Sequence, residues 1–264
     1  MMLEKNGVHI TAISYDSQEI LAAFAQKHSI GFPLLSDKGS ETIRKFGIFN
    51  SNIAPDLRAF GVPHPVEYLV HRDGIVVKKY FVPNYLHRVT GSAVALREFG
   101  TTESDAPLAT LRSGALAVQI GLASAKAFAG QEIGFFAQFD LQPGWHIYGT
   151  PVPAGYTSTS ITFEGPEVGR QMLELPAAEM LDILALGESL PVYDGSFRSI
   201  GTLLLKHPLP EGRLVLQGHL AFQLCSETVC EPPESISFDL ALMLEPFMVS
   251  ERDQQQAEKK SRAK

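Results

Sequence analysis

The sequence predicts two domains, an α/β domain followed by an all-β antiparallel sandwich. Three observations carry this. The chain has 264 residues, enough for two domains at roughly 150 residues each. Strand and helix patterns alternate as far as Phe99. From Leu116 onward every patterned segment reads as a strand, and such a density of short strands and turns fits a sandwich.

In the first domain, Val8–Ser14 is β-rich and runs into Tyr15-Asp16-Ser17. Asp16 or Ser17 suits the N-cap of a helix, with Glu19 where the helix dipole favours an anion. Ile20, Leu21, Phe24 and Ile30 share its apolar face, and Gly31-Phe32-Pro33 stops it. Ser40–Phe46 reads as a second helix, capped by Ser40 and stopped by Gly47. Asn50–Pro65 is irregular. Val66–Val70 and Ile75–Tyr80 are strands joined through His71-Arg72-Asp73-Gly74, whose Asp-Gly signals a hairpin turn. A helix over His87–Phe99 closes the domain.

Gly100–Pro107 is small, polar and Pro-terminated, so the boundary falls there. The expected division is 1–100, a linker over 101–111, a sandwich over 112–248 and a charged tail over 249–264. Sandwich strands are expected at Leu116–Leu122, Ile133–Leu141, Thr159–Phe163, Ser199–Leu205, Leu214–Leu224 and Ile236–Leu244. Glu251–Lys264 is mostly charged and reads as a solvated end.

Lys plus Arg total 22 and Asp plus Glu 29, for a net charge of −7. That balance lacks the footprint of a nucleic-acid binder. No apolar run is long enough for a transmembrane helix. The first residues, MMLEKNGVHI, lack a signal-peptide pattern. No Walker loop, Gly-rich dinucleotide turn or Ser-His-Asp order is visible, and no cofactor is expected.

The chain has two cysteines, Cys225 and Cys230, close enough to act as a unit. In the strand leading to them, Leu214, Leu216, Leu220, Phe222 and Leu224 share one parity, and Gln217, His219, Gln223 and Cys225 the other. If the leucine face is core, Cys225 points away from it and is reachable. Ser226–Val229 is a short loop that brings Cys230 back to a neighbouring strand end, near disulfide reach. Pro232 and Pro233 cannot donate ladder hydrogen bonds, so they hold the next strand start off the sheet.

Three readings of the pair stay open: a redox pair, a structural staple and reduced bystanders. A bridge across so short a loop contributes only roughly 2 kcal/mol in the chain-entropy model, which weakens the staple. Trp145, His146 and Tyr148 either line a redox site or pack as core and rim. His207 and His219 with two thiolates would make a Cys2His2 set, but their spacing fits no zinc finger, and no metal is expected.

The stretches ITAISYDS, AFAQKHSIGFPLLSDKGSETIRKFGI and GVPHPVEYLVHRDGIVVKKYF resemble the AhpC/TSA peroxiredoxin group of the thioredoxin-like fold, over about residues 7–99. The resemblance implies that Pro65 is the family's cis-proline beside the active site; otherwise Pro63 and Pro65 only shape a loop. It also implies a strand and a cysteine-bearing helix ahead of Val8–Ser14. This chain has no cysteine before Cys225, so the expectation is an incomplete thioredoxin-like domain without peroxidase activity. An internal start or truncated gene model fits that pattern, and the missing signal peptide then tells little.

Pro143-Gly144-Trp145-His146-Ile147-Tyr148, Tyr193-Asp194-Gly195 and FQLCSETVCEPPESISF from Phe222 resemble the N-terminal domain of the thiol:disulfide interchange protein DsbD. That is an immunoglobulin-like redox domain. The resemblance implies a disulfide shuttle through Cys225 and Cys230, with either cysteine attacking first and no cofactor. It implies electrons taken from a membrane donor and passed to thioredoxin-fold proteins outside the cytoplasm, in the periplasm. It further implies an aromatic cap over the disulfide from Leu190–Phe197, with Tyr193 or Phe197 as candidates. The alternatives are a docking module with a structural disulfide, or a fragment of a longer peroxiredoxin-like antioxidant protein.

Overall fold

A computed structural model describes residues 2–57, 60–81, 87–183 and 188–246. The charged tail expected at 249–264 lies outside them. The chain divides into two compact units, Met1–Thr101 and Thr102–Lys264.

The first unit contains α1 (Met2–Lys5), β1 (Ala12–Ser14), α2 (Gln18–Lys27), β2 (Leu34–Ser36) and α3 (Glu41–Lys45). It continues through β3 (Val66–Val70), β4 (Val76–Phe81), β5 (Arg88–Val89) and α4 (Gly91–Phe99). Ser17 caps α2, its hydroxyl accepting from the Ile20 N–H at 3.4 Å. Of the apolar face expected on that helix only Leu21 is buried; Ile20 and Phe24 are exposed. Ser40 does not cap α3. It adopts a left-handed backbone without a side-chain bond, and the Asp37 carboxylate accepts from the N–H groups of Glu41 (3.1 Å) and Ile43 (2.8 Å) instead. The last helix starts at Gly91 and not His87, because Thr90 caps it through the Ala93 N–H at 3.0 Å.

β1 pairs in parallel with β2, a strand hidden in the sequence by its brevity after Pro33. The expected strand over Val8–Ser14 shrinks to the three residues that find partners there. β3 and β4 form a separate antiparallel hairpin. The cis bonds of the described residues precede Pro151 and Pro208, so the implied cis-proline at Pro65 is not formed. Trans is the lower-energy isomer for an X–Pro bond with nothing to hold it otherwise.

Among the described residues, every regular element of the second unit is a β-strand. Its strands are β6 (Leu108–Ser113), β7 (Leu116–Leu122), β8 (Lys126–Ala127), β9 (Gln131–Leu141), β10 (Trp145–Tyr148), β11 (Ser160–Glu164) and β12 (Val168–Glu174). They continue with β13 (Glu179–Ile183), β14 (Glu188–Asp194), β15 (Ser196–Leu205), β16 (Gly212–Phe222), β17 (Leu224–Ser226) and β18 (Glu234–Leu244). One sheet runs β12-β15-β9-β7-β6, a second β11-β16-β18-β8 and a third, smaller one β13-β14-β10-β17. Pairing is antiparallel except between β18 and β8. Alternation along the long strands turns one face inward, so that Val118, Ile120, Phe135, Phe139, Leu216 and Leu240 meet in a single core.

Close packing in that core depends on glycine. Gly201 lies opposite Phe135 across β15 and β9, and the phenyl ring occupies the space a side chain would need. Gly218 and Phe238 repeat the arrangement between β16 and β18.

The strand expected over Leu214–Leu224 is two strands. β16 ends at Phe222 in the second sheet, and β17 begins at Leu224 in the third. The chain changes sheets at Gln223, and this step positions the cysteines.

Candidate functional site

β10 is the centre of the site. It pairs with β14 on one side and β17 on the other, so that Asp194, His146 and Cys225 are opposed in one row across the small sheet. Trp145, Ile147, Tyr193 and Leu224 turn toward the sandwich core. His146, Tyr148, Leu190, Val192 and Cys225 share the other parity and the other face.

That second face is covered. Cys225 is 0% exposed and packs with Tyr148, Leu190 and Val192, under Val152 and Tyr156 from the segment after β10. The expectation that Cys225 points to a polar, reachable face is therefore wrong. The parity argument assumes one continuous strand, whereas the sheet change at Gln223 moves Cys225 under a different cover. Cys230 is exposed.

The two cysteines form a disulfide across an isolated antiparallel bridge, with Cα atoms 4.1 Å apart. The loop between them is closed by Ser226, whose N–H donates to the Val229 carbonyl at 2.7 Å. The Ser226 hydroxyl in turn accepts from the Val229 N–H at 3.1 Å. The Gln223 amide holds both flanks: its oxygen accepts from the Thr157 N–H (3.1 Å), and its nitrogen donates to the Glu231 carbonyl (3.2 Å). Pro232 and Pro233 lie outside any strand, as their missing N–H groups predict.

Tyr148 donates its hydroxyl to the Cys230 sulfur at 3.4 Å, since a disulfide sulfur has no hydrogen to give. Burial, reinforced by Glu188, pushes the Tyr148 phenol above its usual range. Tyr156 packs edge-on against Tyr148 with ring centres 5.1 Å apart, and donates to Glu188 at 2.7 Å. That hydrogen bond, with the nearby carboxylate charge, raises the Tyr156 phenol to about 12. Burial lowers the His146 imidazole against the pull of Asp194.

The aromatic cap expected from Leu190–Phe197 comes from elsewhere, and that segment contributes only aliphatic packing through Leu190 and Val192. Tyr193 faces the core and donates to the Pro176 carbonyl at 3.0 Å, and Phe197 stacks between Tyr193 and Phe139. Neither shields the disulfide. The aromatic cover is Tyr148 backed by Tyr156; Tyr156 and its Glu188 partner carry no local sequence signal.

Trp145 lies on the opposite face, in a cleft of about 620 Å³ shared with Leu224, Glu231, Pro232, Pro233 and Glu234. His219 is engaged on β16 by Ser237 (3.2 Å) and Glu164 (3.5 Å). Among the described residues no His, Cys, Asp or Glu cluster of three or more could hold a metal, and no helix is long and apolar enough to cross a membrane.

Comparison with known proteins follows the two units. Residues 2–79 match the AhpC/TSA family model, and residues 119–242 match the model of the DsbD thiol:disulfide interchange protein N-terminal region. Peroxiredoxin Bcp of Escherichia coli is 33% identical over 72 residues, which is 27% of this chain and 46% of that protein. A putative peroxiredoxin of Buchnera aphidicola is 29% identical over 80 residues, 30% of this chain and 50% of its own. The chain thus spans about half the length of the curated relatives it matches.

Among solved structures, the N-terminal periplasmic domain of ScsB from Proteus mirabilis aligns with TM-score 0.41 and 20% identity, over 58% of each chain. The reduced N-terminal domain of DsbD from Neisseria meningitidis aligns with TM-score 0.29 and 18% identity, over 42% of this chain and 78% of that one. The architecture is a thioredoxin-like N-terminal region followed by an immunoglobulin-like β domain.

Proposed function

We propose that the Cys225–Cys230 pair carries thiol–disulfide exchange, with Cys230 as the sulfur that meets the partner. The observation behind this is the asymmetry of the pair: Cys230 is exposed, while Cys225 is wholly buried. Exchange requires in-line approach of a thiolate to the sulfur it attacks. Cys230 offers that approach and Cys225 does not. In the reduced protein the Cys230 thiolate attacks a partner disulfide, and Cys225 then closes the ring and releases the partner. Sulfur carries the electrons throughout, so the chemistry needs no cofactor.

The match of residues 119–242 to the DsbD N-terminal model supports this reading. It also supports thioredoxin-fold proteins or a membrane donor as partners, and a place outside the cytoplasm.

Trapping tests it. Cys225→Ala leaves the attacking sulfur and removes the resolving one, so it should accumulate a mixed disulfide with an oxidised thioredoxin-fold protein on a non-reducing gel. Cys230→Ala should accumulate none. Equal trapping by both variants, or by neither, would overturn the assignment.

A further inference from the structure

His146 is 7% exposed, and its Nε2 has no hydrogen-bond partner. A buried, unpaired ring nitrogen is a standing cost to the fold and asks for a reason. The register supplies one. His146 is directly opposed to Cys225 on β17 and to Asp194 on β14. Opposed residues of antiparallel strands project to one face, with Cβ atoms about 5 Å apart. The Tyr148 ring stands 5.7 Å from the imidazole and reaches Cys230 with its hydroxyl.

In the oxidised protein Cys225 has no hydrogen to donate. On reduction it becomes a buried S–H, shut off from bulk water, opposite a buried ring nitrogen without a partner, which accepts when the ring proton sits on Nδ1. Building on the exchange reading above, we propose that His146 accepts the proton of reduced Cys225 and so acts as the base for disulfide closure. The groups facing the imidazole are Asp194 from β14, Cys225 from β17 and Tyr148 from its own strand. Tyr156 and Glu188 lie beyond Tyr148. Burial favours the neutral ring, the form that can accept.

The steps balance. The Cys230 thiolate, its proton lost to water, attacks one sulfur of the partner disulfide; a Cys230–partner bond forms, and the second partner sulfur leaves as a thiolate. Cys225 then passes its proton to His146 Nε2, and its thiolate attacks Cys230. The intramolecular disulfide forms, the mixed disulfide breaks, and the departing partner thiolate takes the proton from the imidazolium. Two electrons pass from the cysteine pair to the partner disulfide; the Cys225 proton reaches the partner through His146, and the Cys230 proton goes to water, from which the first-released partner thiolate takes one according to its own pKa.

The test uses the full reduced chain and dithiobis(nitrobenzoate), which releases one coloured thiolate when Cys230 attacks and a second when Cys225 closes. In the wild type the second release should stay nearly flat over about pH 6.5–8.5, because the local base takes the proton. In His146→Phe it should slow about a hundredfold at neutral pH and climb with pH, as for an unassisted thiol. His146→Gln keeps a hydrogen-bond acceptor but cannot take the proton, and should match His146→Phe. It also carries the test if the Phe variant fails to fold. The first release, from exposed Cys230, should be unchanged in both. A wild-type rate and profile for the second release in either variant would overturn the role of His146. Absence of a second release in the wild type would instead remove the exchange reading, and this inference with it.

Discussion

The Tyr148 hydroxyl stands 3.4 Å from the Cys230 sulfur, so the exposed member of the disulfide is held by a buried donor. When the pair is reduced, the same O–H can stabilise the Cys230 thiolate. The phenol stays protonated through neutral pH, because burial raises its pKa above an already high ordinary value.

Tyr148→Phe should therefore raise the Cys230 thiol pKa by about one unit, since a hydrogen bond to a charged acceptor is worth about 1.5 kcal/mol or more. The pH dependence of alkylation of the reduced protein measures it. An unchanged midpoint would show that the hydroxyl has no hold on the thiolate.

Gln223 should be a hinge pin. Gln223→Leu removes both amide bonds and leaves the Thr157 N–H and Glu231 carbonyl without their partner. The expected cost is about 2 kcal/mol. Because Thr157 belongs to the segment bearing Tyr156, amide exchange should also rise across residues 150–159. Denaturant melts and hydrogen exchange check the two effects.

Gly201→Ala should destabilise the sandwich by about 2–3 kcal/mol. The added methyl would overlap the Phe135 ring and come 2.6 Å from the Met172 carbonyl oxygen. The ring can turn; the carbonyl, on the paired strand, cannot. A urea midpoint equal to wild type would mean that β12 and β15 separate at little cost.

Glu67 gives the first unit a pH-dependent weakness. Burial raises its carboxyl to about 7 against a partial offset by Arg88. A raised folded-state pKa means its contribution is complete below 4.5 and is lost as pH rises through about 7. Glu67→Gln should flatten this loss and make the first unit more stable at pH 8, by something on the order of 2 kcal/mol. Thermal melts of the full chain across that window test it; parallel pH curves for the two proteins would refute it.

How legible all this was in the sequence varies from element to element. β7, β9 and β18 show through because long alternation with a leucine- and phenylalanine-rich face has no other reading. β10 is only four residues, β14 contains Pro191, and β12 offers Arg170, Gln171 and Glu174 among few apolar side chains. Nothing local marks them. That Cys225 and Cys230 come within disulfide reach follows from spacing. The burial of Cys225 does not, because it depends on a change of sheet at Gln223 that no glycine or proline announces. The aromatic cover of the disulfide is similarly non-local, brought in by Tyr148 and Tyr156 and not by Tyr193 or Phe197.

The last prediction concerns the first unit alone. Its four longest strands lie in two separate two-stranded sheets, β1 with β2 and β3 with β4. A two-stranded sheet is marginal in water unless something covers one face. Here much apolar surface is uncovered: Ile13 is 40% exposed, Leu35 47%, Val77 51% and Ile75 61%. By contrast the second unit buries a continuous core in which Ile120, Phe139, Leu203, Leu216 and Phe222 reach 0% exposure. Open strand edges beside bare apolar side chains favour association over a unique monomer. Residues 1–101 expressed alone should therefore bind a hydrophobic dye and aggregate at concentrations where residues 102–246 stay monomeric, melt cooperatively and keep their thiol chemistry. A sharp, dye-free monomeric melt of 1–101 would mean that β1–β2 and β3–β4 find each other in solution, and that the exposure of Ile13 and Leu35 does not govern the behaviour of the unit.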